Sequence, residues 1–221
     1  MRALWSTNVM SSLPSRIYAV VDHPRWVERL GGAGLRFIEL YLRDLPEEEI
    51  RAQALLAQEL AARFNISLAL NRYWQTAIEL GYEWLHLGPE DLEGADLDAI
   101  RTAGTKFGIS THTPEELQTA LACKPDYVSF GPVWSTQLRG VPLTGRGLEK
   151  LSEWRGLCGN IPLVAIGGLT VPRLAECLKA GADTVAVMSD FIGHEDPEGQ
   201  VRRWLDAVSQ GQHELETRPV V

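Results

Sequence analysis

Pro162–Ser189, PLVAIGGLTVPRLAECLKAGADTVAVMS, contains one complete strand–helix–strand unit. Leu163 to Ile166 is an apolar run without polar alternation, the pattern of a parallel strand covered on both faces. It ends on Gly167 and Gly168. Thr170 is placed to cap a helix with Pro172 in its first turn, Leu174, Cys177 and Leu178 at helical spacing, and Gly181 at its end. A second apolar run, Thr184 to Met188, stops at Ser189. The crossover between the two parallel strands is expected to be right-handed. Gly167 and Gly168 have no side chains to cover their backbone, so their N–H groups, with those around Ser189, form an anion cup at the strand ends.

The same unit recurs along the chain. Strands are predicted at Ile17–Val21, Phe37–Arg43, Ile66–Leu70, Trp84–Leu87, Lys106–Ser110 and Tyr127–Gly131, before the two already read. Helical periodicity follows each, from Trp26–Leu30 and the Ala/Leu/Glu/Arg-rich Glu47–Phe64 to the last helix, Pro197–Val208. Thr113-Pro114 with Glu116 has the form of a capping box. Eight such units predict a single-domain (β/α)8 TIM barrel, with a doubly wound open sheet as the alternative. Residues 1–16 read as an N-terminal extension, 17–209 as the barrel and 210–221 as a polar tail.

At 221 residues the chain can bury a sizeable core. A net charge of -8 argues against a nucleic-acid or anionic-membrane surface, while small anionic ligands remain compatible with a local basic pocket. Cys123, Cys158 and Cys177 are odd in number and outside any CxxC pattern, which suggests reduced thiols and a cytoplasmic home. No apolar run approaches bilayer length, and the first residues lack the apolar core of a secretory signal. Self-association stays open.

A barrel places its active site at the C-terminal ends of the strands, with phosphate sites recurring after the seventh and eighth. The second strand alternates Ile38, Leu40 and Leu42 with Glu39, Tyr41 and Arg43, so the polar set points into the mouth if the apolar set meets the helices. Charges buried there need partners or a ligand. Other strand ends add Asn71 and Arg72, Asp91, Ser110 and His112, then Trp134, Thr136 and Arg139. Asp91 is a carboxylate of the type that holds Mg²⁺, and arginines clamp diphosphates bidentately. His86, between Leu85 and Leu87, reads as a hydrogen-bonded core histidine.

From Ile17 to Phe191 the sequence resembles the thiamine-phosphate synthase family, through HLGPEDL, GISTHT, YVSFGPVWSTQ, VAIGGL and GADTVAVMS in register. The resemblance implies joining of hydroxymethylpyrimidine diphosphate to thiazole phosphate, with Mg²⁺-assisted loss of pyrophosphate. It implies catalytic roles for Ser110, Arg139 and Arg72 and metal binding by Asp91. Substrate would be bound by Glu39, Tyr41, Arg43, Asn71, Ser110, Thr136, Arg139, Gly167, Gly168, Met188 and Ser189.

The chain departs from the family pattern at one end of this site. Glu39-Leu40-Tyr41-Leu42-Arg43 stands where the family has Gln-Leu-Arg-x-Lys, Asn71-Arg72 where it has Asn-Asp, and Pro89 where Gln is common. Thr136-Gln137-Leu138-Arg139 replaces Thr-x-Thr-Lys. Arg72 is therefore expected either to grip the diphosphate or to pair with Glu39. Two alternatives accompany the synthase reading: a barrel that binds thiazole phosphate or thiamine phosphate without coupling, and the related thiazole tautomerase. Pro132, standing where the tautomerase has a histidine, counts against the latter.

Overall fold

The computed structural model describes residues 13–138 and 140–216. Eight parallel strands close into a barrel in the order β1, β10, β9, β6, β5, β4, β3, β2. The elements in chain order are β1 (Ile17–Val21), α1 (Arg25–Gly32), β2 (Phe37–Leu40), α2 (Glu47–Phe64), β3 (Ser67–Asn71), α3 (Trp74–Leu80) and β4 (Trp84–Leu87). There follow α4 (Leu97–Thr102), β5 (Lys106–Thr111), α5 (Pro114–Ala122) and β6 (Tyr127–Phe130). A hairpin, β7 (Thr136–Leu138) and β8 (Val141–Leu143), precedes α6 (Leu148–Cys158). The chain then runs through β9 (Leu163–Ile166), α7 (Leu174–Lys179), β10 (Thr184–Val187), α8 (Ser189–Ile192) and α9 (Pro197–Glu216). The expected barrel is thus formed, and the open sheet is not.

Three local readings change. The second strand ends at Leu40, so Tyr41 and Arg43 project from the loop that follows it. Thr170 precedes a 3-10 turn, Val171–Arg173, without a side-chain cap, and α7 begins only at Leu174. Pro172 can join that tight turn because its missing N–H is not needed there. The loop after β6 carries the β7–β8 hairpin, which three-residue strands of mixed polarity did not announce. By contrast, Thr113 and Glu116 form the expected capping box, with Glu116 N–H donating to Thr113 Oγ1 at 3.2 Å. The final helix continues past Val208 to Glu216. The first twelve residues of the N-terminal extension lie outside the described residues.

Strand alternation builds two cores. Ile17, Ala19, Ile38, Leu40, Leu68 and Leu70 face the helices and belong to the larger, outer cluster. Tyr18, Val20, Phe37, Ala69, Trp84 and Tyr127 fill the barrel interior. Aromatic rings run in sequence through that interior, Tyr18 to Phe37 to Trp84 to Tyr127, with centroids 4.8, 5.6 and 6.1 Å apart. Each such pair adds about 0.5–1.5 kcal/mol beyond area burial. Gly108 on β5 lies where a Cβ would overlap the Tyr127 ring, which is why a side chain is missing inside this strand.

The packing also fixes the thiols. Burial pushes the Cys158 thiol up to about 11 and that of Cys177 up to about 12, from an ordinary 9.0. A raised folded pKa means that these thiols contribute stability that is intact below about pH 9 and is lost as pH rises towards 11–12. Urea midpoints measured across that window should fall, each thiol accounting for up to about 1.4 kcal/mol per pH unit. Serine at both positions should flatten the part of the slope due to them.

Candidate active site

The barrel's inward alternation continues upward into a cavity of about 290 Å³ at the C-terminal mouth. Its floor begins with Glu39, which is only 3% exposed. A carboxylate buried this deeply needs donors. Asn71 Nδ2 donates to Glu39 Oε1 at 2.7 Å, and His86 Nδ1 lies 3.9 Å from Oε2. Burial, then the neighbouring Tyr127 and Glu39, holds the Tyr18 phenol well above its usual range.

Two branches leave this floor. On one, Arg43 Nη2 donates to Asn71 Oδ1 at 3.3 Å while its guanidinium stacks 4.6 Å from the Tyr41 ring centroid. Arg43 Nε is buried with no hydrogen-bond partner. On the other, His86 Nδ1 bonds to Tyr127 Oη and Nε2 to Ser110 Oγ, both at 2.7 Å, and Ser110 Oγ lies 3.2 Å from Ser129 Oγ. Ser110 is half-buried, so its hydroxyl is at once fixed from below and open to the cavity.

Gly167, Gly168, Met188 and Ser189 line the same cavity from β9 and β10. Gly167 has φ 98° and Gly168 φ 65°, and a Cβ on Gly168 would stand 2.8 Å from Trp134 Cβ. The conformation at Gly167 and the close approach of the loop after β6 at Gly168 therefore both favour glycine. Arg173 donates to the Gly168 carbonyl and stacks on Trp134, which holds that turn in place. Thr136, Gln137, Leu138 and Leu143 of the hairpin also line the cavity. Eight strands in a ring place β9 opposite β3, and β10 opposite β4, so the glycine cup faces the ends that carry Asn71, Arg72 and Asp91.

Glu39, Tyr41, Arg43, Asn71, Ser110, Thr136, Gly167, Gly168, Met188 and Ser189 line one cavity, and for Glu39, Tyr41 and Arg43 this is the direction read from the alternation of the second strand. Arg139 lies outside the described residues. Arg72 and Asp91 are not among the residues that line the cavity. The expected pairing of Arg72 with Glu39 is corrected: its partner is Asp91, with Nε 3.1 Å from Oδ1, while Glu39 accepts from Asn71. Asp91 Oδ2 accepts the Gly88 N–H at 2.8 Å, closing the 3-10 turn Pro89–Asp91. His86 is the hydrogen-bonded buried histidine that was expected, but it also lines the cavity, as do Ser129 and His112. His112 Nδ1 bonds to the Gly131 carbonyl at 2.9 Å. The period-2 pattern Tyr127, Ser129, Gly131 is the signal in the sequence that places Ser129 on the inner face.

A closed parallel barrel whose C-terminal mouth holds a cavity with polar side chains set among apolar ones defines a (β/α)8 barrel of the enzyme type. Residues 16–191 match the model of a protein family described as thiamine monophosphate synthase. Similar relatives are the thiamine-phosphate synthases of Rhizobium etli, 46% identical over 87% of this chain and 94% of the relative, and of Escherichia coli K12, 40% identical over 79% and 83%. The solved thiamine phosphate pyrophosphorylase from Pyrococcus furiosus has the same fold, with a TM-score of 0.78 at 24% identity over 92% of this chain and 99% of that one. The chain belongs to the thiamine monophosphate synthase family. Among the described residues no helix is long and apolar enough to cross a membrane.

Proposed function

We propose that this chain joins hydroxymethylpyrimidine diphosphate to thiazole phosphate, forming thiamine phosphate and releasing pyrophosphate. The observation that carries the reading is one cavity with a glycine cup at one side and Arg43, with its unpartnered buried Nε, at the other. A phosphate monoester needs the first and a diphosphate leaving group needs the second. In the coupling the bond between the hydroxymethyl carbon and the diphosphate oxygen breaks, its electron pair leaving with the diphosphate. The thiazole nitrogen lone pair forms the new C–N bond. Gly167, Gly168 and the backbone at Ser189 hold the thiazole phosphate. Arg43, fixed through Asn71 and Tyr41, stabilises charge on the departing diphosphate. Ser110, fixed by His86, offers a hydrogen bond between the two ends, and the β7–β8 hairpin limits water.

Mg²⁺ belongs to the activity implied by the family resemblance, with Asp91 as its expected ligand. The residues present do not fit that role, because the Arg72 guanidinium, with Nε 3.1 Å from Asp91 Oδ1, already neutralises this carboxylate and would repel a divalent cation brought to it. Among the described residues, no three His, Cys, Asp or Glu side chains converge to hold a metal. The cysteines are free, which supports a cytoplasmic setting.

The test is to incubate the protein with both substrates and Mg²⁺ and measure pyrophosphate and thiamine phosphate together. Equimolar release, and none with either substrate alone, is expected. Binding of thiazole phosphate without release would leave the non-coupling barrel in its place.

A further inference from the structure

We propose that Arg72 is a diphosphate-binding residue and that Asp91 positions it, so that this mouth holds a diphosphate without a divalent cation bridging through Asp91. The inference rests on the coupling reading for its substrate, but not for its geometry. Arg72 follows Asn71, the last residue of β3, and its backbone is pinned by donation to the His86 carbonyl at 2.7 Å. Asn71 lines the cavity and Arg72 stands directly beside it, outside the lining itself. Its side chain is 43% exposed, whereas that of Asp91 is 6% exposed. The pair is therefore asymmetric: the carboxylate is buried and fixed, and the guanidinium reaches towards solvent at the rim.

Asp91 is held from the other side as well. Its Oδ2 accepts from Gly88 N–H, and Gly88 itself lines the cavity. A divalent cation on Asp91 would have to sit beside the Arg72 guanidinium, 3.1 Å from Oδ1, and be repelled by it. The guanidinium itself, oriented through Nε, keeps N–H groups that form the fork matching phosphate oxygens. The exposed Glu90 carboxylate on the same rim would repel a diphosphate, which makes a nearby fixed cation more necessary. Arg43 and Arg72, at the ends of adjacent strands, would then take the diphosphate between them.

Calorimetry with inorganic pyrophosphate as the probe, in EDTA and separately with excess Mg²⁺, tests this on the full chain. Wild type is expected to bind in EDTA, with affinity within about threefold of that of the Mg²⁺ titration. Arg72→Asn is the matched variant, because position 72 has φ 74° and asparagine tolerates that conformation. It should unfold at the wild-type temperature and lose pyrophosphate affinity at least about tenfold in EDTA, the order expected of a lost charge-assisted pair. Asp91→Asn keeps an acceptor for Gly88 but releases Arg72, and should weaken binding equally with and without Mg²⁺. Three results would overturn the inference: pyrophosphate binding only with Mg²⁺, wild-type affinity in a folded Arg72→Asn, or a loss in Asp91→Asn confined to Mg²⁺. If pyrophosphate binds as stated but the two substrates do not couple, the proposed function fails and the diphosphate site stands. Coupling without Arg72-dependent binding gives the reverse.

Discussion

Replacing Arg43 by methionine should lower kcat/KM for coupling by about three orders of magnitude, equivalent to about 4 kcal/mol, and leave the fold intact. Methionine keeps much of the aliphatic stem that packs beside Tyr41 and removes only the guanidinium. The size of the effect follows from where the charge sits. Arg43 Nε is buried without a partner, so the free protein already bears the desolvation that a diphosphate would relieve. A preorganised donor of this kind in a site shielded from bulk water is worth several kcal/mol to a leaving group that gains charge in the transition state. Arg43→Lys should recover part of the loss, since a point charge returns but the fork does not. Thiazole phosphate affinity should be unchanged in both variants, because its cup stands on β9 and β10 rather than on the loop after β2. A wild-type kcat/KM in folded Arg43→Met would remove this residue from the reaction.

The barrel was legible because its strongest signal is local. Leu163–Ile166 and Thr184–Val187 are continuous apolar runs closed by glycine or serine, and both appear as barrel strands at those positions. Period-2 alternation also carried the inner face correctly at Glu39, Tyr41 and Arg43, although regular pairing stops at Leu40. Pairing partners of charged side chains were less legible. Arg72 has φ 74°, a conformation that a charged residue does not advertise, and Asp91 reaches it from a different strand end. Whether Arg72 meets Glu39 or Asp91 is decided in three dimensions, where Asn71 occupies Glu39 and Asp91 stands 3.1 Å from Arg72, and no spacing in the chain encodes that. His86 is the buried, hydrogen-bonded histidine its neighbours imply, but its place beneath the cavity is not legible from them. Its neighbours Leu85 and Leu87 identify it as inward-facing, but only closure of β4 against β5 and β6 shows that it lies beneath Ser110 at the cavity floor.

Gly168→Asp should weaken thiazole phosphate binding by at least about a hundredfold, the larger part of it through charge. The position has φ 65°, which aspartate and asparagine tolerate better than other side chains, so the backbone can be kept. Space is tighter, since a Cβ would stand 2.8 Å from Trp134 Cβ and 2.9 Å from the Trp134 carbonyl oxygen. The loop after β6 must therefore shift in any substituted protein, and because its backbone is what stands in the way the shift carries a real cost. Gly168→Asn carries that same strain without a charge and serves as the measure of it. The added carboxylate of Gly168→Asp would face a bound phosphate at roughly 4 Å, where two like charges near a protein surface repel by about 4 kcal/mol. Calorimetry with thiazole phosphate on wild type, Gly168→Asn and Gly168→Asp should thus give a modest loss for the first variant and near-complete loss for the second. Raising the salt concentration should recover little, because the cavity shields the pair from screening. Equal affinities in the two variants would assign the whole effect to strain, and wild-type affinity in a folded Gly168→Asp would place the phosphate away from the β9 glycine turn.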